Sequence, residues 1–477
     1  MLEKFLPYST QSIDDSDILS VTQALKSSHL TQGAQVKKFE DSIASFVGVG
    51  KAIAFNSATS ALYAAFRGVK DMVYNADFVR NLIKDSKDCL DSKILRLMDA
   101  PNFASARKKK KISIITTPIS FVATTNMMLE NDITPIFVDI EMNGNINTAK
   151  IESALQDDTL AICSVDYAGN SVDVVALRKL CEKHNLLFIS DSSHAFGATF
   201  QGEKVGSFAD VSIFSFHAVK PIATCEGGAL VTNSNFFATL AGLVCSHGVV
   251  KKSLFNYDCI TLGFNFRMNE ISAALGLSQM KRLQSFITQR EKIAQFYNEY
   301  FKGNPFFFTP DSIKTQDSIK VSRNETSHSV MLSKSETSNL NKSQNLDSKN
   351  PNNIESNRQD SKEFIESKKP DSKEFIESNF QKTQSTRHLY PLLLDPKYVC
   401  SKEQIANDLN AQNVGVQVHY KPIYNFSAYQ KFNYPLLRNA EDFYHAELSI
   451  PCHQNMDLNL AKQTADIILK TFEKLKY

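Results

Sequence analysis

Val211-Ser212-Ile213-Phe214-Ser215-Phe216-His217-Ala218-Val219-Lys220-Pro221 is an apolar run that ends in hydroxyl, imidazole and amine, and Pro221 with the later Glu226-Gly227-Gly228 stops it. The run reads as a buried strand. Lysine is ordinarily a solvated charge, so one delivered at a buried strand end needs a reason. The best reason is a Schiff base with an aldehyde cofactor, which requires a neutral, desolvated amine. Leu186-Leu187-Phe188-Ile189-Ser190 is a second buried-strand run, and it delivers Asp191, Ser192, Ser193 and His194 at its end. An Asp to pair with a pyridinium nitrogen, followed by a Lys to hold the aldehyde, is the pattern of a pyridoxal 5'-phosphate (PLP) site.

Around these two runs the chain alternates strand-like and helix-like stretches. Ile112–Ile115, Pro135–Asp139, Ala161–Val165 and Gly228–Val231 are further short apolar runs. Residues 171–184 place Val174, Leu177, Leu180 and Cys181 on one helical face. Such alternation predicts an α/β fold with a mainly parallel sheet, whose ligands bind at the carboxyl ends of the strands. We assign residues 1–285 to an N-terminal arm and a large PLP-binding domain, and 286–477 to a smaller C-terminal α/β domain. Residues 70–111, ending in Lys108-Lys109-Lys110-Lys111, read as a helical surface insertion. Residues 311–386 are rich in Ser, Asn, Lys, Asp and Gln, and carry the tandem copies Asp360–Ser367 and Asp371–Ser378. Too little apolar area is available there to offset the entropy of ordering, so this insertion is expected to be disordered.

Composition excludes several classes. The chain has 477 residues, 42% of them hydrophobic, and a formal net charge of +2, which implies no strong field for nucleic acid or a membrane surface. Eight cysteines lie far apart without CxxC or CxxH spacing, so no metal site is expected and reduced thiols in a cytoplasm are. No apolar run approaches the ~20 residues that span a bilayer, and the first residues lack a signal-peptide core.

The cofactor's phosphate needs donors. Asn56-Ser57-Ala58-Thr59-Ser60-Ala61-Leu62 follows the strand-like Ala52–Phe55 and would open a helix running to about Ala65. A helix start offers free N–H groups and a positive dipole end. Ser57 and Thr59 could add hydroxyls, although a plain Ser/Thr cap is the competing reading, and Ser215 is a further candidate. Gly48-Val49-Gly50-Lys51 lacks the third glycine of a dinucleotide loop and has Ser45 at the first glycine of a P-loop. Phe121 follows another strand and could stack on a flat ring, against ordinary core packing. His194 and His217 flank the centre, and His194 reads as a hydrogen-bonded structural histidine.

Asn56–Leu62, Asp191–His194, Phe214–Lys220, Glu226–Gly228 and Gly263–Glu270, in this order, resemble the DegT-type PLP-dependent nucleotide-sugar aminotransferases. Leu30–Gly33, Thr116–Thr124, Ser190–Ala195, Gln417–Tyr424 and Ala440–Glu447 extend the resemblance from about residue 5 to the C-terminus, interrupted by the two insertions. It implies the fold-type I aminotransferase architecture. Lys220 would carry the cofactor, Asp191 pair with its ring nitrogen, Ala58, Thr59 and Ser215 hold the phosphate, and Phe121 stack on the ring. Asn265 would reach the phosphate of a partner subunit, implying a homodimer with shared active sites. Tyr8, Ser28, His29, Leu30, Thr31, His217, Gln417, Val418, His419 and Tyr420 would meet the substrate. The implied reaction moves an amino group from L-glutamate to C4 of a UDP-4-keto-6-deoxy-N-acetylhexosamine. The product is then UDP-4-amino-4,6-dideoxy-N-acetyl-β-L-altrosamine, for pseudaminic acid synthesis. Cys245 and Ser272 depart from the family's basic residue and Gln, which bears on substrate or interface contacts. The alternatives are another nucleotide-linked keto sugar as substrate, a same-fold dehydratase, disfavoured because Lys220 is present, and a non-enzymatic scaffold, disfavoured by the intact Asp191/Lys220 pair.

Overall fold

The computed structural model describes residues 1–84, 89–314 and 383–475. Most of the predicted 311–386 insertion therefore lies outside the described residues, but its two margins do not. Pro310–Lys314 is helical, and Gln384 forms a backbone bridge to Thr199. Arg387 donates to Asp311 and Glu291, so the chain is pinned on both sides of the insertion at one place. The margins are ordered because each carries specific hydrogen bonds, which a composition-based boundary cannot register.

The strands in chain order are β1 (Lys51–Phe55), β2 (Ile112–Thr116), β3 (Ile133–Phe137), β4 (Thr159–Val165), β5 (Leu187–Asp191), the short β6 (Thr199–Phe200) and β7 (Glu203–Lys204), β8 (Val211–Ser215) and β9 (Gly228–Thr232). Seven of them form one sheet in the order β1-β9-β8-β5-β4-β2-β3. From β3 to β8 all pairs are parallel, and β9 runs antiparallel between β8 and β1. Val211, Ile213, Leu230, Ile114, Leu187 and Ile189 are buried, as strands covered on both faces require.

The helix that opens at Ala58 runs to Tyr74, past the expected Ala65, because Phe66, Val69, Met72 and Val73 continue its apolar stripe. The 70–111 segment is helical over Ala76–Ile83, Cys89–Met98 and Pro101–Lys109, but it is more than a surface addition. Val79, Ile83, Ile94, Leu97, Met98 and Phe103 join the principal core, and only its polar side faces out, with Lys109 paired to Asp157.

Beyond the 283–300 helix, an antiparallel sheet of β12 (Phe307–Phe308), β13 (Tyr390–Leu394) and β14 (Glu447–Ile450) builds a second core with the helices 402–411 and 458–473; an exposed hairpin, β10 (Val249–Lys251) and β11 (Tyr257–Cys259), lies between the two regions in sequence. Leu2 and Leu6 of the N-terminal arm are buried in this second core, and Leu6 exchanges backbone hydrogen bonds with Asn413 and Gly415. The arm thus packs with the C-terminal residues rather than with the large sheet. All eight cysteines are free, and none of the described helices is long and apolar enough to cross a membrane.

Candidate active site at the carboxyl ends of the strands

Asp191 is the last residue of β5 and is buried. Its Oδ2 accepts from the Thr124 hydroxyl at 2.6 Å, and its Oδ1 from the Ser193 amide and hydroxyl at 3.2 and 2.5 Å. Those donors hold a carboxylate in one orientation. Behind it the fully buried Asp166 accepts from Ser192 and Ser190, at 2.7 and 3.1 Å, and burial pushes its carboxyl up to about 6.

Lys220 lies beyond the strand end at which it was expected. β8 stops at Ser215, and Lys220 sits in the following loop, closed by Phe216 N–H to Gly227 and Thr224 N–H to Phe216. The strand pattern persists one residue too far because Phe216 is buried for loop packing, not pairing. Lys220 is half-buried, and desolvation pushes its amine down to about 8 against the opposing pull of Asp191.

Three imidazoles surround the amine. His388 Nε2 lies 3.4 Å from Lys220 Nζ, the His194 ring is 4.5 Å from that of His388, and His194 Nε2 lies 3.0 Å from the Tyr420 hydroxyl. Burial, then the Lys220 charge, holds His194 and His388 well below the ordinary imidazole range and His419 down to about 3. All three are therefore neutral at physiological pH. His194 is hydrogen-bonded through Nε2, while its buried Nδ1 has no partner among the described residues. His419 is fixed by its amide to Glu447 at 2.6 Å, its Nδ1 near Ser449 at 2.9 Å and its carbonyl to Tyr167 at 2.6 Å. Tyr8 packs its ring 4.9 Å from that of His419, and Val418 is half-buried beside it.

The 58–74 helix begins where a phosphate site requires it. Ser57 is its N-cap, and its hydroxyl accepts the Ser60 amide at 3.2 Å, so this side chain serves the cap. The amides of Ala58 and Thr59 belong to the first turn, where N–H groups lack helical partners. Ser215 pairs with Gly228 across β8 and β9, and a Cβ on Gly228 would lie 2.4 Å from Ala58 N. Glycine is thus what lets the helix start, Gly228 and Ser215 converge, and this cradle fits a phosphate. Gly228→Ala is expected to weaken PLP binding by about 10- to 100-fold, the cost of forcing a methyl into an occupied space. Spectrophotometric titration of the cofactor-free protein checks it. Phe121 is 61% exposed, with Tyr420 at 6.4 Å between ring centres, so its face is free to receive a flat ring.

For the other expected contacts the structure gives local partners. His217 is exposed, 3.9 Å from the Glu226 carboxylate. Gln417 is exposed, and its backbone bridges Ser449. Ser28, His29, Leu30 and Thr31 are tied elsewhere: Thr31 bridges Asn269, and Leu30 accepts the Glu270 amide. Asn265 is exposed on that same 263–270 stretch, where its carbonyl accepts from Asn56. Cys245 is buried with its thiol toward the Ala54 carbonyl, and the Ser272 amide caps on Asn269.

Sequence reasoning missed Thr124, Ser193 and His388. Thr124 and Ser193 stand inside the family's motifs without a role of their own there. His388 directly follows the low-complexity segment and opens the run into β13, which is its one local signal.

A family model described as the DegT/DnrJ/EryC1/StrS aminotransferase family matches residues 11–73, 102–359 and 352–469. The chain belongs to this family. It is a transaminase, and its cofactor is PLP, which the Lys220, Asp191, Phe121 and Ala58–Ser215–Gly228 arrangement fits. The stretch from 74 to 101 that the family model leaves unmatched falls on the added helices. The chain is 38% identical to the UDP-4-amino-4,6-dideoxy-N-acetyl-beta-L-altrosamine transaminase of Helicobacter pylori, over 99% of each chain. It is 36% identical to the enzyme of that name from Campylobacter jejuni subsp. jejuni serotype O:23/36, over 99% of this chain and 98% of the relative. Among solved structures it resembles Helicobacter pylori PseC, an aminotransferase involved in the biosynthesis of pseudoaminic acid, with TM-score 0.75, 37% identity, and 99% and 100% of the two chains covered.

Proposed function

We propose that this transaminase moves the amino group of L-glutamate to C4 of a UDP-4-keto-6-deoxy-N-acetylhexosamine. The product is UDP-4-amino-4,6-dideoxy-N-acetyl-β-L-altrosamine, for pseudaminic acid synthesis in the cytoplasm. The observation that carries the substrate is the end-to-end 38% identity with the Helicobacter pylori enzyme of that name. Bound PLP supplies an electron-poor ring that accepts the electrons left when a proton departs the amine-bearing carbon. Lys220 Nζ, whose lowered pKa of about 8 leaves more of it neutral than an ordinary lysine, takes that proton and returns it. Asp191 keeps a proton on the ring nitrogen, Thr124 and Ser193 hold Asp191, and Phe121 covers one ring face. Ala58, Thr59 and Ser215 take the phosphate, with Ser57 acting through the cap. Tyr8, His419 and Tyr420 line the substrate side.

A homodimer is supported by the exposed apolar residues in the same stretch of chain as Asn265, where Phe255 is 90% and Leu262 74% exposed. The test is the absorbance spectrum of the holoenzyme before and after UDP-4-amino-4,6-dideoxy-N-acetyl-β-L-altrosamine. Conversion of the PLP band to the pyridoxamine band supports the proposal. A PLP band indifferent to this sugar overturns the substrate and points to another nucleotide-linked keto sugar.

A further inference from the structure

Arg290 lies on the buried face of the 283–300 helix, among Phe286, Ile287, Ile293 and Ala294, and is 0% exposed. A guanidinium is expensive to bury, and the usual compensation is a carboxylate. Among the described residues no carboxylate pairs with it. Its N–H groups go instead to neutral acceptors from three separate segments. Nε donates to Gln454 Oε1 at 2.9 Å. Nη1 donates to the carbonyls of Cys452, Arg387 and His388 at 2.9, 3.2 and 3.4 Å, and Nη2 to the Ser9 hydroxyl at 3.2 Å.

Two of these connections lead to the reacting amine. His388, whose carbonyl Arg290 holds, places its Nε2 3.4 Å from Lys220 Nζ. Ser9, whose oxygen Arg290 occupies, must point its own hydroxyl proton elsewhere, and donates it to the Val219 carbonyl at 2.8 Å. Val219 is the residue before Lys220. We propose that Arg290 is a positioning residue for the transamination site, fixing His388 directly and the Lys220 loop through Ser9. This inference rests on the reading of Lys220 as the amine that carries the cofactor. The planar fork explains the choice of arginine, since no other side chain sends donors to so many carbonyls at fixed angles.

The test uses the holoenzyme and the variants Arg290→Lys, which keeps the charge and loses the fork, Arg290→Met, and Ser9→Ala. Three readouts are taken: kcat and KM for the amino sugar, the thermal midpoint, and the pH titration of the bound-cofactor absorbance. Asp191, His194, His388 and His419 face Lys220 in all of them and are left intact. The expected result is a kcat loss of about 10- to 100-fold in both Arg290 variants, as for a reacting group displaced by about 1 Å. KM stays within about twofold, and the absorbance titration moves. Ser9→Ala, lacking one hydrogen bond of the relay, is expected to lose about fivefold in kcat. A lowered thermal midpoint with unchanged kcat and titration in folded Arg290 variants would overturn the proposal. Should those variants not fold, an unchanged kcat and titration in Ser9→Ala overturns it. A wild-type protein that takes up no PLP would instead sink the Lys220 reading on which the inference rests.

Discussion

Lys220→Ala is expected to lose at least about 1,000-fold in transamination, since on the proposed reading one substitution removes both the covalent anchor of the cofactor and the proton carrier. Steady-state turnover with saturating PLP measures it, and retention of more than a tenth of wild-type activity would contradict it. The fold should survive. Burial holds the folded-state amine near 8, below its ordinary value of 10.5. A depressed lysine contributes stability that is present above the unfolded value and lost as pH falls through the folded one. At pH 7 that contribution is gone, so the cofactor-free variant should melt at or above the wild-type temperature. The same depression predicts how the wild type takes up PLP. Near pH 8 about half of Lys220 is neutral, against roughly 0.3% of an ordinary lysine. The uptake rate followed against pH should therefore rise with a midpoint near 8, and a midpoint near 10 would remove the role given to desolvation.

Asp191→Asn is expected to cost about 100-fold or more in kcat, the scale of removing a preorganised charge from a buried site. An amide in place of the carboxylate no longer favours a proton on the ring nitrogen. The variant should still fold. The retained oxygen can keep accepting from Ser193, and the Thr124 hydroxyl, which donates to Oδ2 at 2.6 Å, can rotate to accept from the new amide. The loss should thus appear in kcat and in the cofactor's absorbance while the thermal midpoint moves little. Activity within threefold of wild type would show that another group protonates the ring.

The parts of this chain that could be read from sequence are those written in local pattern. The strands around 112, 161, 187, 211 and 228 stand within two residues of their expected positions, because a buried strand is a short apolar run bounded by polar or glycine residues. The helix at 174–184 follows from its apolar spacing, and its start from Asp173 as cap. Asp191 was legible as a buried carboxylate closing an apolar run, and Lys220 as an amine following one, although the strand stops at Ser215 and leaves Lys220 in the loop beyond. The helices within 70–111 were legible as helices, but that their apolar faces enter the principal core was not, since an amphipathic stripe does not name what it covers.

Other features depend on residues that meet only after folding. The antiparallel β9 between β8 and β1 has the same apolar composition as its parallel neighbours, so its direction is set by chain return, not by side chains. Gly228 matters through its approach to Ala58, and Arg290 through carbonyls near residues 387 and 452. His388 comes to Lys220 across 168 residues, with an insertion between them. Local sequence therefore determined the elements and the two residues on which the proposed chemistry rests. The tertiary structure alone decided what surrounds them, because burial, desolvation and hydrogen-bond partners arise from segments that no short-range pattern connects.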